Sequence, residues 1–263
     1  GGGGGGGGGV VINTGEKAKA GKVKFPSCLM QVKPQEFVDI ASVVNKNIIT
    51  AESGTAYDGK DKDLVGKIIF EGYSQDEGKI FKPDYPIRRD EAVKTVLITT
   101  CYMDELIENN DLDKTKVAFK DEAFGHDDYW AADYIYMAAN AGLVEEKNKF
   151  HPEKAVTKAE FLKLLLEVYA DVNNTKIPEC TKTTDIKFVD VNKDDWFCKY
   201  AVLGKTLGVA EGWKDTQDKA HLNPDKILTR TDAAVMLWNY YVAATGKKLD
   251  EKRPVNVSMA VRQ

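Results

Sequence analysis

The segment LNPDKILTRTDAAVMLW, residues 222–238, sets the fold. Pro224 marks a turn, and Thr229 stands where a helix N-cap belongs, with Asp232 three residues later. That spacing is a capping box: the cap hydroxyl accepts from the amide at the third helical position, and the acid there reaches back to the cap amide. The apolar run that follows predicts a helix starting at Arg230. Arg230 is the anomaly, because the first turn of a helix carries partial positive charge and disfavours a cation by a few tenths of a kcal/mol.

The anomaly recurs. FHPEKAVTKAEFLKLLL from Phe150 and FKPDYPIRRDEAVKTVL from Phe81 align with residues 222–238. In each of the three, a proline (Pro83, Pro152, Pro224) lies six residues before a base (Arg89, Lys158, Arg230), and an acid (Glu91, Glu160, Asp232) follows that base by two. Lys158 and Arg230 are 72 residues apart, and Arg89 and Lys158 are 69 apart. In the middle copy Phe161, Leu164, Leu165 and Val168 form an apolar stripe at helical spacing.

A second pattern precedes two of these segments. Residues 119–146 and 188–213 both read as an aromatic-x-Asp turn (Asp121, Asp190), a polar loop, a tryptophan (Trp130, Trp196) and an amphipathic helix closed by Gly142 or Gly208. One unit is therefore two helices joined by a glycine turn and a proline turn. A unit of that size cannot cover its own apolar faces, so the copies are expected to pack on one another. The first copy keeps Gly72 and Pro83 but lacks the aromatic-Asp and tryptophan elements. Upstream of it VKPQEFVDIASVV, residues 32–44, resembles a second helix, either a remnant of a preceding copy or a substitute for the missing first helix.

Composition narrows the function. Thirty-seven basic against 41 acidic residues leave a net charge of −4, the reverse of the basic surface that nucleic-acid binding requires. No apolar run is long enough to cross a membrane, and the nine glycines at positions 1–9 can build no core. Motifs for zinc proteases, serine hydrolases and phosphate loops are lacking, and His126, His151 and His221 sit in turn segments without an evident nucleophile. Cys28, Cys101, Cys180 and Cys198 have no CxxC spacing. Their even number suits disulfides in an exported protein, with Cys180 and Cys198 closing one loop; buried thiols of a cytosolic protein are the other reading. DVNKDD from Asp190 resembles the start of a calcium loop, but it lacks the glycine at position six and has Ala201 at the place of the bidentate acid. It is read as a turn, and no metal or cofactor is expected.

Together, the aromatic-x-Asp turn, the tryptophan, the glycine turn, the proline and the Thr157-Lys158-Ala159-Glu160 or Thr229-Arg230-Thr231-Asp232 helix start resemble the S-layer homology domain. The likeness extends over roughly residues 60–246, with Arg88-Arg89-Asp90-Glu91 the looser match. It implies a mainly α fold of three two-helix repeats around a pseudo-threefold axis. The corresponding boundaries are a leader at 1–24, an irregular first repeat at 25–110, repeats at 111–172 and 173–249, and a linker at 250–263. It further implies a non-catalytic, extracellular module that holds a surface or S-layer protein on the cell wall. In this reading the grooves between repeats bind acidic wall polysaccharide, which in several relatives carries pyruvate ketals. Self-assembly of a surface lattice through the same helix ends is the alternative.

By that likeness Arg89, Lys158 and Arg230 contact the acidic sugar, and Asp121, Asp190, Gly72, Gly212, Trp130, Trp196, Trp213 and Tyr73 supply hydrogen bonds and stacking. Local chemistry offers competing roles. An anion at a helix N-terminus would meet free amides and a guanidinium together. A salt bridge to an acid of the neighbouring unit, such as Asp121 or Asp190, would equally explain a base there, and a lysine lacks the planar fork of arginine. The acids Glu91, Glu160 and Asp232 read as caps. Trp130 and Trp196, at helix starts, read first as half-buried packing residues; Trp213 after Gly212, and Tyr73 after Gly72, read as more open to a sugar.

Overall fold

A computed structural model describes residues 70, 73–75, 78–80, 82–100, 102, 118–145 and 148–245. The leader, the segment 32–44, Gly72, Cys28, Cys101 and the stretch 250–263 lie outside them. The fold is mainly helical. Its elements are a hairpin of β1 (Tyr73–Gln75) and β2 (Gly78–Ile80), then α1 (Arg89–Thr99), α2 (Ala132–Asn140), α3 (Lys158–Val172) and α4 (Cys198–Thr206). A second short hairpin, β3 (Trp213–Lys214) with β4 (Ala220–His221), and α5 (Arg230–Thr245) complete it.

The prolines begin three turns that meet at one point. Ile87 N–H donates to the Leu228 carbonyl at 2.9 Å, Leu228 N–H to Val156 at 2.9 Å, and Val156 N–H to Ile87 at 3.1 Å. Three bridges, Pro86 with Thr229, Arg88 with Ala155 and Thr157 with Ile227, join the same segments pairwise. The side chains of Ile87, Val156 and Leu228 are all buried. A closed ring thus ties together the starts of α1, α3 and α5.

The helices use that ring as their cap. Each of the three sends the amides of its first two residues to carbonyls of a neighbouring turn. Arg89 and Asp90 donate to Lys154 and Pro152, Lys158 and Ala159 to Lys226 and Pro224, and Arg230 and Thr231 to Tyr85 and Pro83, all at 2.8–3.1 Å. Four amides at a helix start have no partner inside the helix, so burying these ends demands such external acceptors. The third amide is served locally: Thr157 Oγ1 accepts from Glu160 N at 3.3 Å and Thr229 Oγ1 from Asp232 N at 3.1 Å.

The residue before each proline is left-handed: φ is 54° at Lys82, 57° at His151 and 55° at Asn223. Side chains resist this region, and a following proline opposes it further. Asp121 holds one such turn by accepting from Phe150 N at 2.7 Å and His151 N at 2.9 Å. Asp190 does the same for Leu222 N and Asn223 N, both at 2.7 Å. Gly142 and Gly208 end α2 and α4 with φ of 74° and 73°, as a C-cap glycine requires.

Packing crosses from one unit to the next. Helix α2 lies on α1 and α4 on α3, while α1 also touches α3 and α5. The stripe of Phe161, Leu164, Leu165 and Val168 is buried in the resulting core. Cys180 and Cys198 form a disulfide that ties the 180s loop to the start of α4.

Replacing Ile87 by alanine removes one of the three side chains at the ring. We expect a loss of about 3 kcal/mol in urea unfolding. Closing an 18-residue separation, the disulfide should add about 3 kcal/mol, seen as a lower Tm for the Cys180→Ser, Cys198→Ser pair.

Candidate ligand-binding grooves

The three bases at the helix starts meet different fates. Arg230 is 3 % exposed, and its Nη1 lies 2.5 Å from Glu91 Oε1. Its guanidinium also sits over the rings of Phe70 and Tyr73, 5.2 Å and 4.7 Å from their centroids. Tyr73 donates its hydroxyl to the same Glu91 oxygen at 2.6 Å. Burial, then that hydrogen bond, push the phenol up to about 12. Arg89 is half-buried: its Nε donates to the Phe150 carbonyl at 2.9 Å, and its Nη1 lies 3.7 Å from Glu160 Oε1.

Lys158 is the exception. Its Nζ donates to the Glu211 carbonyl at 3.3 Å, and among the described residues no carboxylate comes within ion-pair distance of it. Asp232, the acid in the corresponding position, is taken by Lys226 at 3.0 Å. Burial first, then the nearby Lys226 charge, hold the Lys158 amine below the ordinary lysine value, against the opposing pull of Asp232 and Asp190.

The geometry therefore answers why a cation is tolerated at a helix start. The acid of each box accepts its own cap amide (Glu91 from Arg88 at 3.0 Å, Glu160 from Thr157 at 2.9 Å, Asp232 from Thr229 at 3.1 Å). Glu91 and Glu160 additionally face the base of a neighbouring helix. Two expectations change. The first-turn amides are consumed by the ring, so they do not form an open anion cradle. Asp121 and Asp190 serve backbone amides, and the neighbouring acids that meet the arginines are Glu91 and Glu160.

The site residues named from the sequence fall into separate groups. Lys158 reaches the Glu211-Gly212-Trp213 turn, with Asp190 nearby. Arg230 meets Tyr73, and Arg89 meets Phe150, whose amide Asp121 holds. Gly212 is required by packing: a Cβ there would lie 2.6 Å from the Phe188 ring and 2.9 Å from the His221 carbonyl. Trp213 is 41 % exposed, its ring 5.5 Å from that of His221. Trp130 and Trp196, at 46 % and 56 %, are half-buried, with Trp130 against Tyr129, and are more open than Trp213, contrary to the expected order. The loops before α2 and α4 turn these rings outward, and Phe197 and Tyr200 back the Trp196 ring.

A groove of about 400 Å³ opens beside Trp130. It is lined by Arg88, Asp90, Ala123, His126, Asp128, Tyr129, Trp130, Pro152 and Glu153. Arg88 grips buried Asp90 through Nε at 3.1 Å and Nη2 at 2.7 Å, and Tyr129 donates to Asp90 Oδ2 at 3.1 Å. Burial raises the Asp90 carboxyl above its ordinary value, and the Arg88 guanidinium opposes that rise. Neither Arg88 nor Asp90 was singled out from the sequence as a ligand residue; the signal lay in the departure of Arg88 from the Thr157 and Thr229 pattern.

The S-layer homology domain model matches residues 119–162, from the Phe119 turn through Trp130 and Gly142 to the start of α3. That family comprises non-catalytic domains of surface proteins that bind cell-wall polysaccharide. No curated protein matches the sequence. No helix among the described residues is long and apolar enough to cross a membrane.

Arg230→Ala would leave Glu91 buried beside Tyr73 without its cation. Its unfolding free energy should fall by about 3 kcal/mol, whereas Arg89→Ala, losing a longer and more open contact, should cost under about 1 kcal/mol. Equal losses in denaturant titrations would refute this ranking.

Proposed function

We propose that this chain is a non-catalytic anchoring module built of three S-layer homology repeats about a pseudo-threefold axis, which attaches a surface protein to acidic cell-wall polysaccharide. The ring through Ile87, Val156 and Leu228, with its repeated capping bonds, supports the threefold arrangement. The match over residues 119–162 supports the class of ligand.

One observation carries the placement of the acid group: Lys158 is the helix-start base that lacks an ion pair among the described residues. Its ammonium borders the Gly212-Trp213 turn and sits near Lys226, so an incoming carboxylate would meet a cation without first breaking a salt bridge. A charged hydrogen bond of this kind is about twice as strong as a neutral one. Arg230, held by Glu91, and Arg89, shared with Phe150 and Glu160, serve the fold first.

Cosedimentation with purified wall polymer tests the reading. Lys158→Ala should weaken binding about tenfold or more while Lys158→Arg retains it, and removing the acidic substituents from the polymer should abolish the difference. Because the Lys158 amine is held low, wild-type binding should fall as pH rises toward the ordinary lysine range, where the arginine variant stays charged. Sedimentation without polymer separates the self-assembly reading, which requires concentration-dependent association of the protein alone.

A further inference from the structure

The groove beside Trp130 differs in charge from the surroundings of Lys158. Its lining holds one guanidinium against three carboxylates, Asp90, Asp128 and Glu153. The guanidinium is consumed: Arg88 is locked to Asp90 by two hydrogen bonds. Asp128 and Glu153 remain, both exposed, and neither is ion-paired among the described residues. The exposed Trp130 ring, which lines the same groove, offers an aromatic face, and Lys94 Nζ lies 5.7 Å from its centroid. Two exposed carboxylates and an indole face both attract a cation.

A departure from the repeat points to the same place. Where α3 and α5 have Thr157 and Thr229 as N-caps, α1 has Arg88, which gives no side-chain cap. Losing such a cap costs about 1 kcal/mol. Asp90 takes over the job, accepting from Glu91 N at 2.7 Å, and the corresponding positions in the other copies are Ala159 and Thr231. The Arg88–Asp90 pair thus replaces a better local solution and lines the groove. A local rule broken with a compensating rearrangement at a cleft is the pattern expected of a binding site.

We propose that the groove formed by Arg88, Asp90, Asp128, Tyr129, Trp130 and Glu153 is a second glycan site that selects a sugar bearing a free amine. The sugar ring lies on Trp130, and its ammonium is held by Asp128 and Glu153. The Arg88–Asp90–Tyr129 network fixes this lining and leaves guanidinium edges for ring hydroxyls. This rests on the reading of the chain as a wall-glycan module, but it concerns a different groove from Lys158 and a ligand of opposite charge.

Isothermal titration of the full chain with a glucosamine tetramer and with its fully N-acetylated counterpart tests it. The amine form should bind at least about tenfold tighter. The paired change Asp128→Asn, Glu153→Gln should remove that preference, and Trp130→Ala should weaken both tetramers. All these positions are at least partly exposed, and circular dichroism confirms that the variants are folded. Equal affinity for the two tetramers, a preference that survives the paired change, or equally tight binding of a lysine tetrapeptide would overturn the proposal. Loss of wall-polymer binding in Lys158→Ala reads the first proposal separately, so either can fail alone.

Discussion

The structure depends on a shared capping arrangement: no long helix that starts at the centre completes its own N-terminus. Each of α1, α3 and α5 borrows two carbonyls from the proline turn of another unit, and the ring through Ile87, Val156 and Leu228 holds those turns together. Buried amides without acceptors are costly, so removing one unit would expose the helix start of another. This makes the three segments interdependent in a way that linear repeat arrays, which contact only nearest neighbours, are not.

Electrostatics follow from that constraint. Borrowed carbonyls bring negative partial charge to the positive helix ends, which makes a base at the first position tolerable. The acid at the third position, needed for the cap, then lies within reach of a neighbour's base. In Arg230–Glu91 the match is tight and buried; in Arg89–Glu160 it is looser; at Lys158 the acid is diverted to Lys226. Three similar sequences thus give three different electrostatic environments. The differences arise from residues outside the repeat signature, such as Tyr73 at one and Lys226 at another.

Much of the framework was legible in the sequence because it rests on local chemistry. The boxes at Thr157–Glu160 and Thr229–Asp232, the closing glycines Gly142 and Gly208, and the stripe on α3 all depend on spacing within one helix or turn. The Cys180–Cys198 bridge was one of two readings that an even cysteine count allowed. What the sequence could not show is which groups meet across units. Asp121 and Asp190 looked like partners for a base or a sugar, yet their oxygens go to paired amides of left-handed turns. Nothing in a one-dimensional pattern distinguishes an acid that will face a ligand from one that will hold a backbone. The openness of Trp130 and Trp196 was also hidden, since a tryptophan before an amphipathic helix packs inward or outward according to the loop ahead of it.

The first copy's irregularity is informative for the same reason. A repeat that departs from a capping rule without compensation would simply be weaker. Here Arg88 and Asp90 change together: one gives up the cap, and the other restores an acceptor for the Glu91 amide while taking the guanidinium and the Tyr129 hydroxyl. Helix stability alone does not require this rearrangement, because a threonine at position 88 would serve α1 as Thr157 serves α3. Its distinguishing product is a fixed polar network in a groove that an exposed tryptophan and the exposed acids Asp128 and Glu153 also line. The groove at α1 and the lysine at α3 therefore present opposite charges on a common backbone frame. One backbone frame, closed by one ring of hydrogen bonds, thus carries two different charge environments at separate positions without any change in the turns that hold it together.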